Sequence, residues 1–217
     1  MIKKLVGRDG YLYYGETGEE LANPESTEAG TWYKIKAIAA TASVTPKNAV
    51  VGDVFKAIAA EALGDGDILI PFTLTKIAFV TDVSNSNSKE KVDVTTQVDE
   101  YKSYRVGKRV DSTGTFNGYF TLGDPIVEQI VNEFAVVTTV GADTKLETQE
   151  VKSETYHFFL SRNETSEVGE TEVWEYKPCV FDSLTADKPM DSAQPFTANY
   201  SMVGSERPCT FIRKITA

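Results

Sequence analysis

The sequence is poor in the side chains that carry most enzyme chemistry. It has one histidine, His157, and two cysteines, Cys179 and Cys209, in 217 residues. The histidine lies inside the strand-like run YHFFL, where a place in or beside a core is expected rather than a general base. The cysteines have no His or Cys neighbour at metal-ligand spacing and read as two thiols or as one disulfide. No Gly-x-Ser-x-Gly turn, phosphate-cradling glycine loop or Cys/His pairing occurs. Asp65-Gly66-Asp67 lacks the further oxygen ligands and closing glutamate of a calcium loop. The expectation is a protein that is not an enzyme, with no cofactor and no metal. Long apolar runs are missing as well. No segment approaches the ~20 residues that span a bilayer, and none of signal-peptide length follows the basic start MIKKLVGRDG. A soluble protein made in a cytoplasm, without a membrane partner, is therefore expected.

Apolar residues make up 41% of the chain, enough for a real core without staples, and the length fits one domain over 1–217. The net charge of −10 is unevenly placed. Between Asp143 and Glu175 nine acids face three bases, a net −6. Both ends are basic, with Lys3, Lys4 and Arg8 at one and Arg207, Arg213 and Lys214 at the other. This is a solvated acidic surface with charged tails, or a charge pattern that favours head-to-tail association of copies. Conventional nucleic-acid binding is disfavoured, since phosphates need a basic footprint.

Along the chain, strand patterns dominate. Tyr11–Tyr14 is a short strand, 16–30 a polar loop, and 31–40 a strand alternating Trp32, Lys34, Lys36 with Tyr33, Ile35, Ala37. Residues 50–63 support two readings: a helix capped by Asp53, or short strands between the turns at Gly52-Asp53 and Gly64–Asp67. The insertion 45–72 matches no motif. Three β-segments follow, near 74–83, 91–106 and 112–121, joined by the turn-rich connectors SNSNSKE (84–90) and GKRVD (107–111). In the middle segment Val92, Val94, Thr96 and Val98 form one face and Asp93, Thr95, Gln97 and Asp99 the other, as in an antiparallel sheet with a dry and a wet side. Gly123-Asp124-Pro125 opens a helix with the stripe Ile126, Ile130, Phe134. Strands return at 136–140, 155–160, 172–181 and 194–203, leaving 1–7 as an N-terminal arm and 209–217 as a C-terminal extension.

The stretch VDVTTQVDEYKSYRVGKRVDSTGTFNGYF resembles the sheet region of phage major tail tube proteins, as found in siphophages and related contractile tails and injection systems. The helix after Gly123-Asp124-Pro125 is similar to that family's single packing helix, and GETEVWEYKPCVFDSLTADKPMDSAQPFTANYSMVG to its closing strands. Together these cover about 60% of the chain, with the elements in matching order. The resemblance implies a mainly β fold, a two-sheet sandwich or partial barrel with one packing α-helix, plus an extended loop and terminal arms. It also implies six-membered rings stacked into a tube in the virion tail, assembled in the host bacterial cytoplasm. Tape-measure, tail-tip and tail-terminator proteins are the implied partners, and DNA passes through without sequence-specific binding. On this reading Asp93, Thr95, Gln97 and Asp99 are candidates for the channel wall. Lys3, Lys4, Arg8, Ser84, Asn85, Ser86, Asn87, Arg213 and Lys214 are candidates for contacts between rings. The alternatives are the tube of a phage-derived bacteriocin or injection system, and a carbohydrate-binding β-sandwich.

Overall fold

The computed structural model of the protein describes residues 10–39, 49–77, 80–93, 104–119, 135–141, 143–148, 154–166, 169–186, 193–203 and 206–215. These form the strands β1 (Gly10–Thr17), β2 (Leu21–Ala22), β3 (Trp32–Ala37), β4 (Val54–Lys56), β5 (Ile68–Lys76), β6 (Val80–Asp93) and β7 (Tyr104–Tyr119). They continue with β8 (Ala135–Val140), β9 (Asp143–Thr148), β10 (Tyr156–Ser166), β11 (Gly169–Ala186), β12 (Pro195–Met202) and β13 (Cys209–Ile215). The fold of the described residues is mainly β and antiparallel. The helix expected after Pro125 lies outside the described residues. The chain divides into two compact units: Met1–Ala78, Thr155–Pro178 and Val203–Ala217 form the first, Phe79–Glu154 and Cys179–Met202 the second. Strand β11 is long enough to give residues 169–178 to one and 179–186 to the other.

In the first unit the hydrogen-bonded order is β4-β3-β5-β1-β10-β11, with β2 also on β5 and β13 also on β11. Adjacent strand residues point to opposite faces, so the neighbours Trp32 and Tyr33, both buried, serve two different clusters. Trp32 joins Val54, Phe72, Phe159 and Tyr176, with Trp174 and Phe211 packed alongside. Tyr33 joins Ile35, Phe55, Ala57, Leu63 and Leu69. The second cluster settles the two readings of 50–63 in favour of turns and a short strand. Where a helix capped by Asp53 would have its first turn, Val54–Lys56 instead pairs with β3 from Trp32↔Lys56 to Lys34↔Val54, and Gly52, with a φ of 91°, makes the turn before it. The Asp53 carboxylate accepts the N–H of Val50 at 2.9 Å. Beyond β4, the buried Thr27 hydroxyl donates to the Ala59 carbonyl at 3.2 Å and accepts the N–H of Glu61 at 3.0 Å. The described part of the 45–72 insertion is thus packed structure, and its Phe55, Leu63 and Leu69 supply half of a core.

Three expectations along the chain are corrected. The connectors at 84–90 and 107–111 lie inside strands, because β6 and β7 pair as one long hairpin from Val80↔Gly118 to Asp93↔Tyr104. Turn-favouring side chains yield here to a continuous backbone ladder. Between Lys89 and Lys91 the register shifts, with β7 advancing from Val110 to Val106, so 107–109 form an irregularity rather than a turn. The 209–217 extension supplies β13, paired with β11 from Tyr176↔Cys209 to Glu170↔Ile215. Phe211 holds it down by meeting the Trp32 ring edge-on at 5.7 Å.

A polar chain secures the segment leading into β13. Glu206 takes the Lys34 ammonium at 2.8 Å and the Tyr176 hydroxyl at 2.8 Å. Tyr176 in turn lies 3.0 Å from Nδ1 of the buried His157, whose ring stacks on it at an interplanar angle of 9°. Burial pushes the His157 pKa down, and Lys34 adds to this against the opposing pull of Glu206. Burial pushes the Glu206 carboxyl up, but the hydrogen bonds from Lys34 and Tyr176 and the charges of Lys34 and His157 outweigh it and leave it lowered.

Both folded pKa values lie below their unfolded ones, so both groups release protons on folding. The stability they give is complete above the ordinary histidine value of 6.5. It falls with acid, first as the pH drops below 6.5 and again as it drops through the folded pKa of Glu206. Denaturant titrations from pH 8 to pH 2 should show both limbs. His157→Gln should flatten the upper limb and leave the lower one, and an unchanged upper limb would remove His157 as its source. In the same assay Phe211→Ala should cost about 2–3 kcal/mol, somewhat under a fully buried phenylalanine because this ring is only partly buried.

Candidate functional site

The second unit carries a sheet with two sharply different faces. Its order runs from β11 (179–186) through β12 and β7 to the edge strand β6. The sequence alternates strictly in two of these strands: Phe196, Ala198 and Tyr200 against Thr197, Asn199 and Ser201, and Gly114, Phe116 and Gly118 against Thr113, Thr115 and Asn117. The register aligns like with like, since Ala198 faces Phe116, Tyr200 faces Gly114, and Asn199 faces Thr115. The apolar face is aromatic. Phe116, fully buried, meets Phe196 edge-on at 5.9 Å and Phe181 at 6.1 Å.

On the same face the Tyr200 ring lies across Gly114. A Cβ at Gly114 would run into that ring. The ring thus crosses β7 to reach the next strand, where its hydroxyl donates to Asn85 at 2.8 Å. Glycine here is a matter of close approach, not of backbone conformation.

The other face is a grid of small polar side chains. By register it holds Ser183 and Thr185 of β11, Thr197, Asn199 and Ser201 of β12, Thr113, Thr115 and Asn117 of β7, and Ser84 and Ser86 of β6. Many of these bond one another across the strands. Thr115 donates to Asn199 at 2.7 Å, Thr197 to Asn117 at 2.8 Å, and Asn199 to Ser183 at 2.8 Å. Ser201 donates at 2.6 Å to Asp182, which sits in a bulge of β11. Charge appears at the margins, as Asp182, as Asp82 opposite Asn117 and, by register, as Asp111 opposite Ser88. Tyr119 stands at one end, 42% exposed.

The expected site residues are scattered by the structure. Ser84, Asn85, Ser86 and Asn87 are consecutive and exposed on β6, not in a loop, and alternate between its two faces. Asn87 is bonded by the Ser112 hydroxyl, and Asn85 by Tyr200. Asp93 ends β6, opposite Tyr104; Thr95, Gln97 and Asp99 lie outside the described residues, as do Lys3, Lys4 and Arg8. Arg213 and Lys214 belong to β13 in the first unit, opposite Glu172 and Thr171. Glu172 also takes Lys56 at 3.0 Å and the Trp174 indole N–H, and the Lys56 ammonium lies 4.9 Å from the Trp174 ring. Burial raises the Glu172 carboxyl, but these hydrogen bonds together with the charges of Lys56 and Arg213 bring it below its ordinary value. Lys56 and Glu172 thus bind each other, and Arg213 adds its charge to the same corner. Among the described residues no group of three or more His, Cys, Asp or Glu side chains could hold a metal ion, and no helix is long and apolar enough to cross a membrane. Neither Cys179 nor Cys209 is in a disulfide.

The polar grid was missed in the sequence, although STGTFNGY and PFTANYS carry its signal: small polar residues at every second position, with no charge among them. Gly114→Ala should displace Tyr200 and cost about 1–3 kcal/mol, as overpacking does. The combined Gly114→Ala and Tyr200→Ala variant should lose less than the sum of the two single changes. Denaturant midpoints measure this, and strict additivity would mean that the ring does not depend on the glycine.

No family model matches the chain, and no curated protein sequence matches it. Among solved structures, a chain in the tail of an empty GTA particle, determined with C6 symmetry, is similar over 66% of this chain and 87% of its own length. The TM-score is 0.38 and the identity 14%, a distant likeness.

Proposed function

We propose that the protein is a structural subunit of a bacteriophage-type tail tube, not an enzyme, and that it assembles with copies of itself. Six-membered rings stack into a tube in the virion tail, and DNA passes through the bore. Tape-measure, tail-tip and tail-terminator proteins are its further partners. The finer architecture of this reading is a β-sandwich closed by the helix that begins near Pro125.

The observation that carries the reading is the open edge of β6. Among the described residues this strand ends the sheet order, is 14 residues long, and keeps a regular register from Asp82 to Lys89. Monomeric proteins protect such an edge with proline, lysine or a very short strand. β6 has no proline, and its two lysines, Lys89 and Lys91, lie towards its far end, so over 80–88 its row of backbone donors and acceptors suits a strand from a neighbouring copy. Closing the sheets into a ring removes the edge, which is the arrangement that the tail tube resemblance implies.

Negative-stain microscopy of the concentrated protein tests this directly and should show rings or tubes; a monomer persisting at high concentration after long incubation would sink it. A pair of substitutions adds detail. In an antiparallel edge strand, adjacent residues direct their N–H groups to opposite sides. Of Ser84→Pro and Asn85→Pro, one should therefore leave the monomer folded yet block assembly. If both folded variants assemble like wild type, the β6 edge is not the joint.

A further inference from the structure

A face of a sheet that packs against another protein has an apolar centre. Among its described residues the grid of the β11–β12–β7–β6 sheet has only Val180, opposite Ser201 at its border, and so lacks that mark of a protein interface. Yet it is not an ordinary solvent surface either. Soluble surfaces are about 25–35% charged, and this whole chain is 25% charged, while the grid holds no cation and has carboxylates only at its margins. Its central hydroxyls and amides are largely engaged with each other: Thr115 with Asn199, Thr197 with Asn117, Asn199 with Ser183.

Resting on the tail tube reading, we propose that this uncharged Ser/Thr/Asn face is the wall of the passage, and that the polymer moving along it is a polyanion with a phosphate backbone. Affinity for such a polymer comes from cations that release its counterions and from rings on which its bases stack. The grid offers no cation, and its ring, Tyr119, stands at one end. Strong repulsion is lacking as well, because the few acids lie at the edges. A phosphate chain therefore meets little attraction and little barrier along the wall, which is what transport without arrest requires. The wall lies on the side of β6 and β7 marked by Ser84 and Thr113, and does not depend on the acidic strip that begins at Asp93.

Cysteine labelling of assembled tubes tests the assignment. Thr113→Cys and Ser84→Cys, both at exposed positions, are made in a Cys209→Ser background. Cys179 is buried and contributes little labelling. Each variant is labelled with N-ethylmaleimide and with a polyethylene-glycol maleimide too bulky to enter a tube end, before and after assembly. The expected result is that assembly abolishes reaction with the bulky reagent and leaves reaction with the small one. Reaction with both in tubes would put the face on the outside, and reaction with neither would put it between copies. Variants that fold but cannot assemble would also place it at a joint, and each of these outcomes overturns the proposal. Should wild-type protein form no tubes at all, the tail tube reading falls first, and the wall with it. As a second arm, tubes of Thr113→Lys should retain short double-stranded DNA in a salt-sensitive way, and wild-type tubes should not. Equal retention by wild type would overturn the inert-wall mechanism even with the labelling pattern intact.

Discussion

Period-two alternation is the constraint on which both units depend. A strand has two faces, and a slip of one residue would move every side chain to the wrong one. In the second unit such a slip between β7 and β12 would set Thr115 against Ala198 or Tyr200 and expose Phe116. It would also move Gly114 from beneath the Tyr200 ring. Register, core and polar face are therefore a single solution, fixed by where the glycines and rings fall. In the first unit the same rule works on both sides of β3 at once, since Trp32 and Tyr33 anchor separate clusters.

How legible all this was in the sequence follows from the same rule. Tyr11–Tyr14, the Trp32 strand, the Trp174 strand and the Phe196–Tyr200 strand announced themselves through alternation and aromatic content. Residues 84–90 did not, because an exposed edge strand has no dry face to impose an apolar period. Its Ser and Asn side chains look the same in a turn and in a ladder. Strand β13 was hidden for a different reason. One of its faces shows Phe211, but Arg213 and Lys214 make the run look like a charged tail until Glu172 and Thr171 are placed opposite. The joining of Lys34, His157, Tyr176 and Glu206 depends on three strands and a loop meeting, which no local pattern announces. The polar grid is present as alternation in STGTFNGY and PFTANYS, but small polar residues alternate in the same way on any solvated sheet face, and only the register between β7 and β12 gathers them into one surface.

Charged residues in the two units play unlike parts. In the first, ammonium and carboxylate groups sit half-buried in pairs, Lys34 with Glu206 and Lys56 with Glu172, and hold strands together. Such pairs repay their desolvation only with additional hydrogen bonds, which Tyr176 and Trp174 provide. In the second, the grid of the sheet dispenses with charge and uses neutral hydrogen bonds, each worth about 0.5–1.5 kcal/mol net.

The three-piece make-up of the first unit bears on how the chain is born. Its ring contact between Trp32 and Phe211 joins the first and third pieces. A ribosome must therefore release nearly the whole length in between before Phe211 can complete the cover that Val54, Phe72, Phe159 and Tyr176 begin over Trp32. Until then its partly assembled sheet presents bare strand borders, a state prone to mispairing with other nascent chains.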